Sequence, residues 1–186
     1  MKTLGLANEE QLQSYFIRRM DTFLTAKGRR LIGWDEILEG GLAQNATVMS
    51  WRGENGGIQA ANAGHDVVMA PYQYTYLDYY QSEDRASEPL AIGGFMPLSQ
   101  VYDYEPIPAG LDPQMAHHVL GAQCQLWTEY IPNPKQLEYM AFPRLAALSE
   151  VTWTPAQEKD YPDFLERLNS HLKRLDIMDV NYRPIN

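Results

Sequence analysis

Short apolar runs alternate with longer segments of helical periodicity along this chain, and this alternation constrains the fold more than any other feature. Four runs are bounded by turn residues and are too short for helices. They cover residues 31–34, 46–51, 66–71 and 119–127. Each run predicts a buried strand, and strands that alternate with helices favour a parallel sheet covered by helices.

Helical segments separate and follow the predicted strands. The strongest covers residues 9–27, with Asn8 as its predicted N-cap. Its apolar residues recur every three or four positions and predict a packing surface. This stripe consists of Leu12, Tyr15, Phe16, Met20, Phe23 and Leu24. Further helices are predicted over residues 57–63, 135–152 and 162–175. Pro143 predicts a kink or a new helix start within the second of these.

The predicted element order is α-β-α-β-α-β-loop-β-α-α, which fits half of a barrel or a small open sheet. The connection over residues 72–116 contains five prolines, and we predict a short helix at residues 97–102 within it. Nothing in the composition divides the chain, so we predict a single domain over residues 1–186.

Charge and composition exclude several classes of function. The chain has 15 Lys and Arg against 24 Asp and Glu, a net charge of −9, which argues against binding to nucleic acid. Cys124 is the only cysteine, so no internal disulfide or cysteine-based metal site is expected. The four histidines lack metal-ligand spacing, and we expect neither a metal nor another cofactor. No apolar run is long enough to span a membrane.

Aromatic residues and carboxylates fall where the predicted strands end. They are Trp34, Trp51, Tyr76, Asp78, Trp127 and Glu129, the last two closing the fourth strand. The carboxyl ends of parallel strands meet at one edge, so these side chains are expected to converge on one crevice. Indole faces pack against sugar C–H groups and carboxylates accept hydrogen bonds from hydroxyls, which predicts a sugar pocket. The alternative is that the tryptophans only fill a barrel mouth.

Five motifs, in this order, make the sequence similar to family 20 of the glycoside hydrolases, the β-N-acetylhexosaminidases. They are Gly33-Trp-Asp-Glu-Ile37, Met49-Ser-Trp-Arg-Gly53, Tyr76-Leu-Asp78, Leu126-Trp-Thr-Glu129 and Arg144-Leu-Ala-Ala-Leu-Ser-Glu-Val-Thr-Trp153. The resemblance implies an α/β fold of the (β/α)8 TIM-barrel type. A complete barrel needs about 250 residues. The chain has only 186 residues, and the resemblance implies that they cover roughly helix 4 to helix 8, with strands five to eight.

The resemblance also implies an activity, the hydrolysis of terminal non-reducing N-acetyl-β-hexosamine residues with retention of configuration. In this mechanism the acetamido oxygen of the substrate attacks the anomeric carbon. Trp34, Trp51 and Trp127 would surround the acetamido group. Tyr76 would donate its hydroxyl to the acetamido oxygen, and the Asp78 and Glu129 carboxylates would bind the C4 and C6 hydroxyls.

Some parts of the family pattern are absent from this sequence. The adjacent Asp-Glu pair that supplies the acid would lie upstream, as would an arginine of strand one. Asp35-Glu36 is an alternative acid pair, but its motif matches strand five, where the two carboxylates are expected to cap the following helix. A tryptophan expected in the long loop is also missing, and Phe95, Tyr102 and Tyr104 remain open as substitutes.

The isolated chain is therefore expected to be inactive. A non-catalytic sugar-binding module and a functionless remnant are the alternatives. Its partners would be a glycan ending in N-acetylhexosamine and either a second copy or the missing half of the barrel, since open sheet edges promote association. The parent enzyme would be secreted or periplasmic, although no signal peptide is recognisable in the sequence.

Overall fold

The computed structural model describes residues 1–185, so Asn186, the last residue of the predicted domain, lies outside the described part. The chain forms two compact units. The first comprises Met1–Pro71 and Ile107–Ala122, and the second comprises Tyr72–Pro106 and the chain from Gln123 onward. The prediction of a single domain stays a prediction.

The first unit contains a four-stranded sheet whose strands are all parallel, in the order β1-β2-β3-β4. The strands are β1 (Ile32–Trp34), β2 (Thr47–Ser50), β3 (Val67–Met69) and β4 (Val119–Ala122). The predicted parallel α/β arrangement is confirmed. The central strands are buried, with Val48, Val67 and Met69 fully enclosed.

The two outer strands differ from the prediction that every strand is buried. Ile32 of β1 is 55% exposed and Leu120 of β4 is 59% exposed. Each lies on an end strand of the sheet, which has a neighbouring strand on one side only among residues 1–185.

Strand β4 is also shorter than predicted. It ends at Ala122, and its register against β3 is irregular between Val67 and Val68. Gly121 has φ +146°, a backbone conformation that residues other than glycine rarely adopt. Trp127 and Glu129 therefore follow the strand at a distance and do not close it, although Gln125 pairs with Tyr76 in an isolated parallel bridge.

The first unit also contains helices α1 (Glu9–Ala26) and α2 (Asn55–Asn62). The segments Asp35–Leu38 and Pro113–His118 are 3₁₀ helices. The side chain of Asn8 caps α1 by accepting a hydrogen bond from the backbone N–H of Gln11 at 3.0 Å, as predicted.

The apolar stripe of α1 does not form the predicted packing surface. Phe16 and Phe23 are 57% and 59% exposed, while the buried residues of the helix are Ser14 and Asp21. The inner face of α1 is held by polar contacts, such as the hydrogen bond from the Ser14 hydroxyl to the carbonyl of Gly41 at 2.7 Å.

The second unit is helical. Its helices are α3 (Tyr72–Thr75), α4 (Leu98–Asp103), α5 (Pro134–Ala141), α6 (Arg144–Trp153) and α7 (Tyr161–Ile177). The predicted short helix in the long connection is confirmed as α4, and Pro143 separates α5 from α6. Tyr102 of α4 stacks on Phe164 of α7 with ring centroids 4.8 Å apart. Within residues 1–185, no helix is long and apolar enough to cross a membrane.

Two glycines with left-handed backbone give a matched test of the packing in the first unit. Gly40 has φ +74°, and a Cβ there would overlap the backbone of Glu10 at the start of α1. Gly28 has φ +66° with open space around it. We expect Gly28→Ala to lower the free energy of unfolding by about 1 kcal/mol, because only left-handed strain is added.

Gly40→Ala adds a steric overlap to the same backbone strain, so we expect it to lower the free energy of unfolding by about 3 kcal/mol. Urea denaturation of both variants measures the difference. Equal losses would show that α1 does not pack closely against Gly40.

Candidate active site

Trp34 and Trp51 lie at the same edge of the sheet in the first unit. Trp34 is the last residue of β1 and Trp51 directly follows β2, and these two strands are parallel neighbours. Both side chains are half-buried. The structure therefore brings these two predicted site residues to the carboxyl ends of adjacent strands, where α/β proteins bind ligands.

Asp35 and Glu36 hold the segment that begins at Trp51. The buried Asp35 carboxylate accepts hydrogen bonds from the backbone N–H groups of Trp51 at 2.9 Å and Arg52 at 3.0 Å, and from Arg52 Nε at 2.5 Å. The Glu36 carboxylate accepts the indole N–H of Trp51, with both oxygens 3.0 Å from Nε1.

Asp35 and Glu36 begin the following helical segment, as expected, but the described hydrogen bonds of their carboxylates go to residues 51–52. They lie in the first turn of the Asp35–Leu38 segment, whose N-cap residue makes no capping side-chain hydrogen bond. Their oxygens accept hydrogen bonds from the backbone and side chains of residues 51–52, which directly follow β2.

Tyr76 and Asp78 lie in a buried segment that follows α3 in the second unit. This segment pairs with Gln125: the Leu77 N–H donates to the Gln125 carbonyl, and the Gln125 N–H donates to the Thr75 carbonyl, both at 2.9 Å. The Tyr76 ring lies edge-on to Tyr72 at 6.5 Å and tilted against Tyr79 at 5.8 Å. The pairing anchors the chain shortly before Trp127, and places the predicted site residues 76, 78 and 127 on two adjoining segments.

Trp127 and Glu129 belong to an open part of the second unit. Trp127 is 44% exposed, and Glu129 is exposed in a turn after it. Both side chains are thus accessible, in contrast to Tyr76 and Asp78, which are 8% and 3% exposed.

Asp78 has the electrostatics of a binding carboxylate. Its Oδ1 atom is buried and accepts no hydrogen bond from the described residues. Burial raises the pKa of this carboxyl to about 6, opposed by the charge of Arg144 and reinforced by that of Glu129. A buried acceptor without a partner costs free energy, and a ligand hydroxyl that donates to it would recover that cost.

Arg144 is a buried residue next to Asp78 that the sequence pattern did not predict as part of the site. It is fully buried at the start of α6, and its guanidinium donates to four backbone carbonyls. The acceptors are Leu77 at 2.5 Å, Met140 at 2.7 Å, Met96 at 3.0 Å and Tyr79 at 3.1 Å. Two of them flank Asp78. Burial lowers the pKa of Arg144 to about 9, so the group remains cationic at neutral pH.

The sequence carried a signal for Arg144, a charged residue at the head of an apolar helical run directly after a proline. Arginine is rarely fully buried without several partners, which makes such a position informative. Among residues 1–185, no group of three His, Cys, Asp or Glu side chains is arranged to hold a metal ion. The predicted site residues offer indole faces, a tyrosine hydroxyl and carboxylate acceptors.

Comparison with known proteins identifies the family. A family model described as "Glycosyl hydrolase family 20, catalytic domain" matches residues 1–156. The chain belongs to glycosyl hydrolase family 20. The family explains why the five motifs found in the sequence occur together and in that order.

Relatives in glycosyl hydrolase family 20 cover between 77% and 98% of the chain. A beta-hexosaminidase of Porphyromonas gingivalis is 54% identical over 183 residues, which are 98% of this chain and 23% of that protein. A beta-N-acetylhexosaminidase of Cellulomonas fimi is 35% identical over 151 residues, which are 77% of this chain and 29% of that protein. The chain thus spans about a quarter of the length of such relatives.

A solved structure with a bound sugar has the same fold. It is the GH20 exo β-N-acetylglucosaminidase of Vibrio harveyi in complex with N-acetylglucosamine, with a TM-score of 0.87 and 38% identity. The match covers 99% of this chain and 29% of that chain. The parallel α/β sheet is therefore that of the TIM-barrel enzymes of glycosyl hydrolase family 20.

Proposed function

We propose that the protein hydrolyses terminal non-reducing N-acetyl-β-hexosamine residues and that this chain supplies residues that bind the sugar. The observation that carries the proposal is the buried Asp78 carboxylate, which has an acceptor atom without a partner and sits between two carbonyls held by Arg144. Family membership and relatives named beta-hexosaminidase support the choice of substrate.

In this proposal the chain is the C-terminal part of the catalytic barrel, from about helix 4 to helix 8, with β1 to β4 as strands five to eight. Support comes from the four parallel strands in sequential order and from the helices between them. It also comes from the share of the Vibrio harveyi enzyme that the chain covers, 29%.

Trp34 and Trp51 of the first unit are proposed to pack against the acetamido group. Their position at the carboxyl ends of neighbouring strands supports this role. An indole face contacts the acetamido methyl without competing for its oxygen, and it restrains the group close to the anomeric carbon. Trp127 of the second unit, which is 44% exposed, is proposed to make the same kind of contact.

Tyr76, Asp78 and Glu129 of the second unit are proposed to make the polar contacts. The Tyr76 hydroxyl would donate to the acetamido oxygen and hold it in line for attack. The Asp78 and Glu129 carboxylates would accept hydrogen bonds from the C4 and C6 hydroxyls of the sugar. Such positioned donors and acceptors are each worth up to about 10²-fold in rate where they act on the transition state.

The proposed reaction is substrate-assisted. The acetamido oxygen attacks the anomeric carbon and forms an oxazolinium ion, while the bond to the leaving oxygen breaks and that oxygen takes a proton from a carboxylic acid. Water then opens the oxazolinium ion with retention of configuration. We propose that the acid and its partner lie in an adjacent Asp-Glu pair upstream of this segment, since Asp35 and Glu36 are already bonded to residues 51–52.

The ionisation of Asp78 gives the proposed site a distinctive pH dependence. A carboxylate accepts a sugar hydroxyl more strongly when it is ionised, and burial raises the pKa of Asp78 to about 6. We expect N-acetylglucosamine to bind up to about tenfold more weakly near pH 5 than near pH 7, because Asp78 is then ionised in only about a tenth of the protein. Titration calorimetry at several pH values measures this.

Asp78→Asn is the matched variant for this titration, because it keeps the shape of the side chain and removes its ionisation. We expect weaker binding that no longer changes between pH 5 and pH 7. Binding of the unaltered chain that is independent of pH over this range would argue against a hydroxyl contact by Asp78. No binding at any pH would refute the proposed sugar site.

The open edges of the sheet support a second proposal, that the isolated chain associates and is inactive. β1 and β4 end the sheet with exposed apolar side chains, Ile32 and Leu120, and α1 exposes Phe16 and Phe23. The proposed partner is either a second copy of the chain or the remaining part of the barrel. Ionic groups on a strand edge oppose such pairing.

We expect light scattering to show oligomers of the isolated chain, and Ile32→Lys to shift them towards monomer. Leu90→Lys, a change at an exposed position in the second unit, should leave the oligomers unchanged. The same samples should not hydrolyse a chromogenic N-acetylglucosaminide. A well-folded monomer would contradict the proposed association. Turnover by the isolated chain would contradict the proposal that the catalytic acid lies outside this segment.

A further inference from the structure

The two adjacent carboxylates after β1 bind two different parts of one residue at the end of β2. The Asp35 carboxylate accepts the backbone N–H of Trp51 at 2.9 Å, and the Glu36 carboxylate accepts the indole N–H of the same residue. All three residues lie in the first unit. A tryptophan bonded at its backbone and at the far edge of its ring has little freedom of rotation about χ1 and χ2.

The Glu36 contact is symmetric. Both carboxylate oxygens lie 3.0 Å from Trp51 Nε1, so the single indole N–H is shared between them. One N–H donor needs only one acceptor. The second carboxylate oxygen therefore restrains the orientation of the indole and does not add a full second hydrogen bond. An ionised acceptor also makes a stronger hydrogen bond than a neutral one.

The residues that carry these carboxylates are themselves held in place. Asp35 is 2% exposed and forms an ion pair with Arg52 at 2.5 Å. The backbone carbonyl of Glu36 accepts a hydrogen bond from the Gln13 side chain of α1 at 2.6 Å. The acceptors are thus fixed relative to the sheet before any ligand binds.

We propose that Glu36 is a positioning residue that fixes the indole plane of Trp51 for binding of the acetamido group, with Asp35 fixing its backbone. This inference rests on the proposed function, in which Trp51 contacts the sugar. Glu36 is assigned no contact with the sugar and acts through Trp51 alone.

A fixed indole binds sugar more tightly because no side-chain freedom is lost on binding. Immobilising one large side chain typically costs about 0.5–1.5 kcal/mol, which corresponds to roughly two- to tenfold in the dissociation constant. Removal of the Glu36 acceptor should therefore weaken N-acetylglucosamine binding by this factor, even where the fold is intact.

Three variants of the chain separate positioning from general stability. Glu36→Met keeps the length of the side chain and removes the acceptor. Glu36→Gln keeps one neutral acceptor oxygen and should restore part of the effect. Glu54→Gln is the matched control, because Glu54 precedes α2 and its side chain makes no capping hydrogen bond.

The spectroscopic measurement is the indole N–H resonance of Trp51 in a ¹⁵N-labelled chain, assigned with Trp51→Phe. We expect an upfield shift of the indole proton in Glu36→Met, an intermediate position in Glu36→Gln and no change in Glu54→Gln. The dissociation constant of N-acetylglucosamine, measured well below the thermal midpoint of each variant, should follow the same order.

The outcomes distinguish this inference from the proposed function. An unchanged Trp51 resonance in Glu36→Met would show that Glu36 does not fix the indole. A shifted resonance with unaltered sugar affinity would show that the contact is only structural. An unaltered chain that binds no N-acetylglucosamine would refute the proposed function and the positioning role together, while the resonance still reports the Glu36–Trp51 contact.

Discussion

The common direction of the four strands is the constraint on which the first unit depends. Parallel hydrogen bonding between β1 and β2 brings their carboxyl ends to one edge, so that Trp34 and Trp51 lie at the same edge although 16 residues lie between them in the sequence. The same pairing brings Asp35 and Glu36 within hydrogen-bonding distance of Trp51. One backbone arrangement therefore supplies both the aromatic residues and the carboxylates that hold one of them.

The second unit depends on a buried cation, the guanidinium of Arg144. Arg144 bonds to carbonyls of the segment around Asp78, of the chain before α4 and of α5. Its positive charge also opposes the effect of burial on the pKa of Asp78. A buried carboxylate that remains ionisable near neutral pH, with one oxygen left for a ligand, is what a sugar-binding site requires.

Local patterns predicted the positions of strands β1 to β3, the long helices and the short helix α4, because apolar periodicity and Pro143 act over a few residues. They failed where the outcome depends on neighbours far along the chain. The stripe on α1 was expected to pack, yet Phe16 and Phe23 are exposed. The bonds of Asp35 and Glu36 to residues 51–52, and those of Arg144 to four carbonyls, depend on tertiary proximity that spacing in the sequence does not reveal.

The four tryptophans allow a direct test of the proposed sugar site. N-acetylglucosamine is titrated into the ¹⁵N-labelled chain while the four indole N–H resonances are observed. Trp153, 88% exposed at the end of α6, is the internal control. We predict saturable shifts for Trp34, Trp51 and Trp127 and none for Trp153. Shifts for none of the four, or equal shifts for Trp153, would contradict the assignment of these residues to sugar binding.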